Sequence, residues 1–222
     1  MEDKVQQLNT ILDNIGWGRY STFNFFVCGG AWLTLNYLNI SISFLMRTAQ
    51  NEWNLESYQV GLINATHMLG ICIGSILFGF IGDRYGRVFS FKISGLLSIA
   101  GSVILAFSPN YETAVPLILI AGMGGGGEIT AGGPTYIEAC PPKKRWTLVL
   151  ISTCWVIGAM FAAFIALVFE LSNSFQVWRG VYLVGAIIEF LWWIPRLFLY
   201  ESTRFLLIHN KIEECENVLR WK

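Results

Sequence analysis

The chain has 222 residues, 54% of them hydrophobic and only 14% charged, with 15 basic side chains balanced by 15 acidic ones. A mean hydropathy of +0.52 excludes an ordinary soluble domain of this length and points to a protein that crosses a membrane several times, with the lipid bilayer as a partner. Neither a nucleic-acid partner nor a cofactor is expected.

Three regions are predicted: a cytoplasmic amphipathic leader over 1–22, a transmembrane bundle over 23–200 and a cytoplasmic helical tail over 201–222. In the leader, Val5, Leu8, Leu12 and Ile15 recur at helical spacing. That pattern suits a short helix lying on the inner membrane surface, or a solvated leader that packs on the bundle. Glu2, Asp3 and Asp13, with no apolar core before a cleavage site, fit neither a secretory signal nor a transit peptide.

A bilayer core of roughly 30 Å needs about 20 apolar residues in a helix. Six stretches meet that length: Phe23 to Met46, Tyr58 to Ile81, Phe89 to Phe107, Ala114 to Tyr136, Thr147 to Phe169 and Val177 to Leu199. Strand-like alternation is absent, so the expected fold class is an all-α polytopic membrane protein, not a barrel. On the first stretch Asn36, Asn39 and Ser43 share a face, and on the second Asn64 and His67 lie three apart; together they would line a polar path. His67 titrates in a range suited to proton coupling, although a membrane histidine also serves as a packing donor between helices.

Between the second and third stretches lies Gly79-Phe80-Ile81-Gly82-Asp83-Arg84-Tyr85-Gly86-Arg87, a tight hairpin at the membrane surface. Its glycines allow close backbone approach, Asp83 is placed to cap the next helix, and Arg84 and Arg87 can reach headgroups or carboxylates. Ser108 to Glu112 then makes an outer turn that divides the six stretches into a three-plus-three repeat, an arrangement common in transporters.

The fourth stretch carries Gly122, Gly124 to Gly127, Gly132, Gly133 and Pro134, which predicts a deformable, closely approached helix. It lacks the strand and the spaced lysine of a phosphate-binding loop. Gly158, Ala162 and Ala166 give the fifth stretch a packing face of small residues. Glu128 and Glu189 lie well inside the fourth and sixth stretches, where an ionised side chain costs about 2.5–3.5 kcal/mol on insertion scales. Each is therefore expected to face a cavity, find a partner or carry a proton. Trp155, Trp192 and Trp193 are placed either to stack on a flat substrate or to sit at the membrane interface.

Among the lysines and arginines only Arg47 and Arg179 fall on the outer side, so both ends are expected in the cytoplasm. The five cysteines are scattered, which argues against a disulfide framework. With two histidines and no acid at ligand spacing, no metal site is expected, and no serine or cysteine nucleophile has a histidine at a recognisable spacing, so an enzyme is not expected.

The Gly79 to Arg87 hairpin resembles the signature loop of the major facilitator superfamily, G-x-x-x-D-R-x-G-R, with Val88 where a further basic residue often stands. Tyr136, Glu138, Pro141 and Arg145 match the Y-x-E-x-x-P-x-x-x-R pattern of its synaptic-vesicle-protein-related branch, close to the sugar porters. Glu201-Ser202-Thr203-Arg204-Phe205-Leu206 is similar to the P-E-S-P-R-W/F-L motif after the sixth helix, with Tyr200 and Thr203 in place of the prolines. Ile15 to Tyr20 is similar to that branch's leader.

The resemblance implies one major-facilitator-type bundle of six helices, the N-terminal half of a secondary transporter working by alternating access on a small organic solute, whether sugar, organic ion or carboxylate. It implies a second six-helix bundle as partner, either a C-terminal half or a homodimer mate, and a tail that begins the central linker. It also implies an inner-gate network of Gly79, Asp83, Arg84, Gly86, Arg87, Glu138, Arg145, Glu201 and Arg204. Asn36, Asn39, Asn64, His67, Glu128, Trp155 and Glu189 are the residues expected along a substrate or proton pathway. Where the branch often has an acid after Ala31-Trp32 this chain has Asn36, and Ile118 replaces an arginine. Those departures keep a second reading open, a non-transporting membrane scaffold derived from such a transporter.

Overall fold

The computed structural model describes residues 10–172, 176–209 and 211–221. Six helices are long and apolar enough to cross a membrane: α1 (Arg19–Glu52), α2 (Ser57–Tyr85), α3 (Arg87–Ala106), α4 (Tyr111–Ala139), α5 (Thr147–Ser172) and α6 (Val177–Arg196). A 3₁₀ turn, Pro142–Lys144, joins α4 to α5, and two short helices follow, α7 (Thr203–Ile208) and α8 (Ile212–Trp221). No strand occurs among the described residues. The all-α polytopic class is the observed one.

Local chemistry sets the helix ends. Asn110 caps α4, its Oδ1 accepting the Thr113 N–H at 3.0 Å, and Ser202 caps α7 by accepting the Phe205 N–H at 3.3 Å. At the start of α2 the Glu56 backbone N–H donates to Gln59 Oε1 at 2.9 Å. Pro116 and Pro134 lie within α4 without ending it, as transmembrane helices tolerate. Val5 and Leu8 of the leader lie outside the described residues. Of its other apolar positions Leu12 is buried and Ile15 exposed, and Asp13 accepts the Lys143 N–H at 3.1 Å, which docks residues 10–15 on the turn before α5.

Helix α4 packs against both α2 and α3. Its contact with α2 is made by two four-residue glycine steps, Gly70 and Gly74 facing Gly122 and Gly126, where the backbones touch directly. One apolar core, with Tyr37, Leu45, Ile63, Leu105, Ile118 and Trp178, fills one half of the bundle; another, with Val27, Phe91, Tyr136, Ile151 and Leu199, fills the other half. Helices α2 and α5 are the least buried spans, exposing side chains such as Ile76, Phe80, Met160 and Phe164.

At the α1–α2 end of the bundle Glu52 ties α1 to α6. Its Oε2 accepts Trp178 Nε1–H at 2.8 Å, its Oε1 pairs with Arg179 Nη2 at 3.0 Å, and Arg179 lies 4.6 Å from the Trp178 ring centroid. Arg179 also donates to the Ala106 carbonyl at 3.3 Å, bringing in α3. Because Trp178 is fully buried, its indole N–H has no exchange with water to fall back on. Substituting Glu52→Ala is expected to cost about 1.5–3 kcal/mol, the range for hydrogen bonds to a charged group. Thermal unfolding of the detergent-solubilised protein measures it.

Candidate functional site

The inner-edge hairpin is tighter than its sequence suggests. Helix α2 continues through Gly82, Asp83, Arg84 and Tyr85, and the single residue Gly86 separates it from α3. Gly86 has φ +116°, a region that L side chains rarely adopt, and a Cβ there would run into the Glu201 carboxylate. Both facts require glycine at this position.

Asp83 was the expected cap of α3, but its Oδ1 instead pairs with Arg87 Nη2 across the break at 2.6 Å. Glu201 takes the capping role from a distant part of the chain. Its Oε1 accepts the Val88 N–H at 3.0 Å and its Oε2 accepts the Phe89 N–H at 3.3 Å. A carboxylate on free N–H groups at a helix N-terminus also meets the positive end of the helix dipole. Tyr200, which stands where the motif has proline, uses the N–H that proline lacks: it donates to Tyr20 Oη at 3.2 Å and so ties this segment to α1. Lys92 Nζ adds bonds to the Leu197 and Leu199 carbonyls at 3.2 and 3.4 Å.

Gly86, Asp83, Arg87 and Glu201 thus converge at the break between α2 and α3. Arg84 lies 5.7 Å from the Tyr85 ring centroid, and Gly79 has open space beside its Cα. Glu138 and Arg145 are partly buried and Arg204 is exposed, and among the described residues neither Glu138 nor Arg204 forms an ion pair.

The second assembly is inside the bundle. Glu128 on α4 and Glu189 on α6 are both buried, and so is Arg196, in the last turn of α6. Arg196 falls inside the sixth predicted stretch, Val177 to Leu199, and counts among the inner-side charges. Its Nη1 pairs with Glu128 Oε1, and its guanidinium lies 4.4 Å from the Phe91 ring centroid. Seven residues separate Glu189 from Arg196, which puts them two turns apart on one helix face. Ser98 on α3 donates to Glu189 Oε2 at 3.2 Å. A Cβ at Gly95 of α3 would come within 2.8 Å of Glu128 Oε1, so the absence of a side chain there leaves the charges room to meet.

The expected polar path is divided. Asn36 is buried and donates to the Trp155 carbonyl at 2.6 Å, and Trp155 meets Trp32 edge-on with centroids 6.3 Å apart. Asn39 is half-buried. Asn64 is exposed, whereas His67 is buried against α4 beside Gly122. Sequence reasoning missed Arg196 and Ser98 as members of the site. The available signal was that two intramembrane acids lacked a named counter-charge.

Residues 18–222 match the profile of the family described as "Sugar (and other) transporter". The chain is 28% identical over 207 residues to the organic cation/carnitine transporter 7 of Arabidopsis thaliana, covering 92% of this chain and 40% of that protein. It is 28% identical over 219 residues to the synaptic vesicle 2-related protein of Bos taurus, covering 98% of this chain and 39% of that one. Among solved structures, the xylose transporter XylE from E. coli in a partially occluded inward-open conformation superposes with a TM-score of 0.81 at 21% identity. That superposition covers 91% of this chain and 54% of the other, and it supports the fold alone. The chain spans about two fifths of the length of the curated relatives it matches.

Proposed function

We propose, on the premise that this chain belongs to the sugar (and other) transporter family of the major facilitator superfamily, that it supplies one six-helix bundle of a secondary active transporter. The solute is a small organic molecule, of the sugar, organic-ion or carboxylate class, moved by alternating access with proton coupling. The observation that carries the reading is the inner-edge latch, in which Asp83 pairs with Arg87 across Gly86 while Glu201 holds the first N–H groups of α3. These contacts lie at the membrane surface, where pairing is worth only a small free energy, so a rocking motion can break them at low cost. A latch buried in lipid would not open so readily.

The exposed apolar faces of α2 and α5 suit a second six-helix bundle, a second copy of this chain or six further helices. Both ends of the chain face the cytoplasm in this reading, since Arg19, Arg84, Arg87, Lys143, Lys144, Arg204 and Lys211 still mark one side after Arg196 is removed from the surface count. One observation favours the scaffold alternative: Ile118, at the position where the branch it resembles commonly has an arginine, is fully buried in an apolar core and offers nothing to a solute.

Uptake by reconstituted proteoliposomes, screened with sugars, organic cations and carboxylates under a pH gradient, separates the two readings. Transport predicts uptake of at least one class, reduced up to about fivefold in Asp83→Asn, on the order of 1 kcal/mol at the gating step. Absence of uptake by a stable oligomer of full-length wild type sinks the transport reading and leaves the scaffold.

A further inference from the structure

We propose that Glu128 and Glu189 share a single bound proton, so that the bundle interior holds one carboxylic acid beside one carboxylate neutralised by Arg196. The atoms place it. Glu128 Oε1 is occupied by Arg196 and Glu189 Oε2 by the Ser98 hydroxyl, and the two remaining oxygens, Glu128 Oε2 and Glu189 Oε1, are buried without a partner. Both carboxyl groups meet the same turn of α3, Glu128 beside Gly95 and Glu189 at Ser98. A proton between these two groups completes the set, since one becomes donor and the other acceptor. Without it, two negative charges sit around one positive charge at less than 2% exposure, an arrangement with a buried and unbalanced carboxylate.

Among the described residues neither glutamate has another ion-pair partner. On α1 the buried Cys28 donates to Asn24 Oδ1 at 3.3 Å, and neither side chain brings a positive charge. Helix α3 contributes Ser98 and Phe91, while its Lys92 is turned to the carbonyls of Leu197 and Leu199. The one charged residue of α5, Glu170, is exposed near that helix's C-terminal end. Arg196 Nε and Nη2 are likewise buried without partners, which leaves its remaining N–H groups for whichever carboxylate loses the proton. The site therefore binds a proton on a frame of three helices, α3, α4 and α6. Its release puts a second negative charge between α4 and α6. The use of that release in coupling rests on the transport reading; the proton itself does not.

Infrared difference spectroscopy of the full chain in lipid vesicles, titrated in H2O and D2O, tests it. Wild type should show one protonated-carboxyl C=O band at neutral pH that shifts in D2O. Either Glu189→Gln or Glu128→Gln alone should remove it, because Arg196 then neutralises the acid that remains. Arg196→Gln should double it, because both acids must then be neutral. A missing band in wild type overturns the proposal, as does a band that survives both glutamine variants or that vanishes when Na+ replaces K+, the mark of a bound cation. Solute uptake measured on the same vesicles is a separate readout: a band without uptake supports the proton site and removes only the transport reading.

Discussion

Gly74→Val is expected to destabilise the bundle by about 3 kcal/mol or more, the upper end of what overpacking costs. A Cβ at Gly74 would lie 2.6 Å from Met123 Cα and 2.7 Å from its carbonyl carbon, and one at Gly126 would lie 2.9 Å from Ile71 Cα and carbonyl carbon. Each helix therefore meets the other's backbone. Side chains can rotate away from a clash, but backbone cannot, so α2 and α4 would have to separate along their whole contact. Ser75, which donates to the Gly126 carbonyl at 3.2 Å, would lose that bond as well. Gly61 and Gly79 lie on the same helix with nothing within 4 Å of a built Cβ. Alanine at either should leave the unfolding temperature unchanged or raise it, since glycine costs a helix roughly 1 kcal/mol relative to alanine. Gly79→Ala is informative for a second reason. If the open face at Gly79 receives another bundle, this variant should keep its stability and lose uptake. Thermal unfolding in detergent, read beside proteoliposome uptake, separates the two effects; equal melting of Gly74→Val and Gly61→Ala would refute the packing argument.

The six spans were legible because a bilayer demands a length of apolar sequence that little else requires, and all six helices meet it. The inner edge was legible in composition but not in conformation. Gly82 to Tyr85 reads as a turn because three of its four residues are glycine or charged, yet water at the surface satisfies those groups and the helix runs on until Gly86 takes a positive φ. Glu201 was visible as a motif residue. Its partners were not, because they are the backbone N–H groups of Val88 and Phe89, which every sequence possesses. The partner of Arg196 was hidden for a related reason. An arginine at the end of an apolar run normally marks the membrane surface, and its partner Glu128 lies 68 residues away on another helix. Only the pairing of α4 with α6 through α3 turns a surface signal into an interior one.

Arg196→Ala is accordingly expected to cost about 3–5 kcal/mol, the penalty for breaking a buried ion pair by removing one partner. The variant leaves Glu128 without the guanidinium that neutralises it and removes the packing of that guanidinium on the Phe91 ring. Were Arg196 a surface charge, the same substitution would change stability by no more than about 0.5 kcal/mol. The double variant Arg196→Met with Glu128→Met sharpens the test. It removes both charges and keeps most of the volume, and exchanges of this kind are often neutral or stabilising. The double variant should therefore unfold near wild type while Arg196→Ala and Glu128→Met alone are both impaired, a coupling of roughly 3 kcal/mol, the upper end for residues in contact. Restored stability with lost solute uptake in the double variant would show that the pair is kept for transport and not for the fold. Additive losses, with no recovery in the double, would mean that Arg196 and Glu128 do not act on each other.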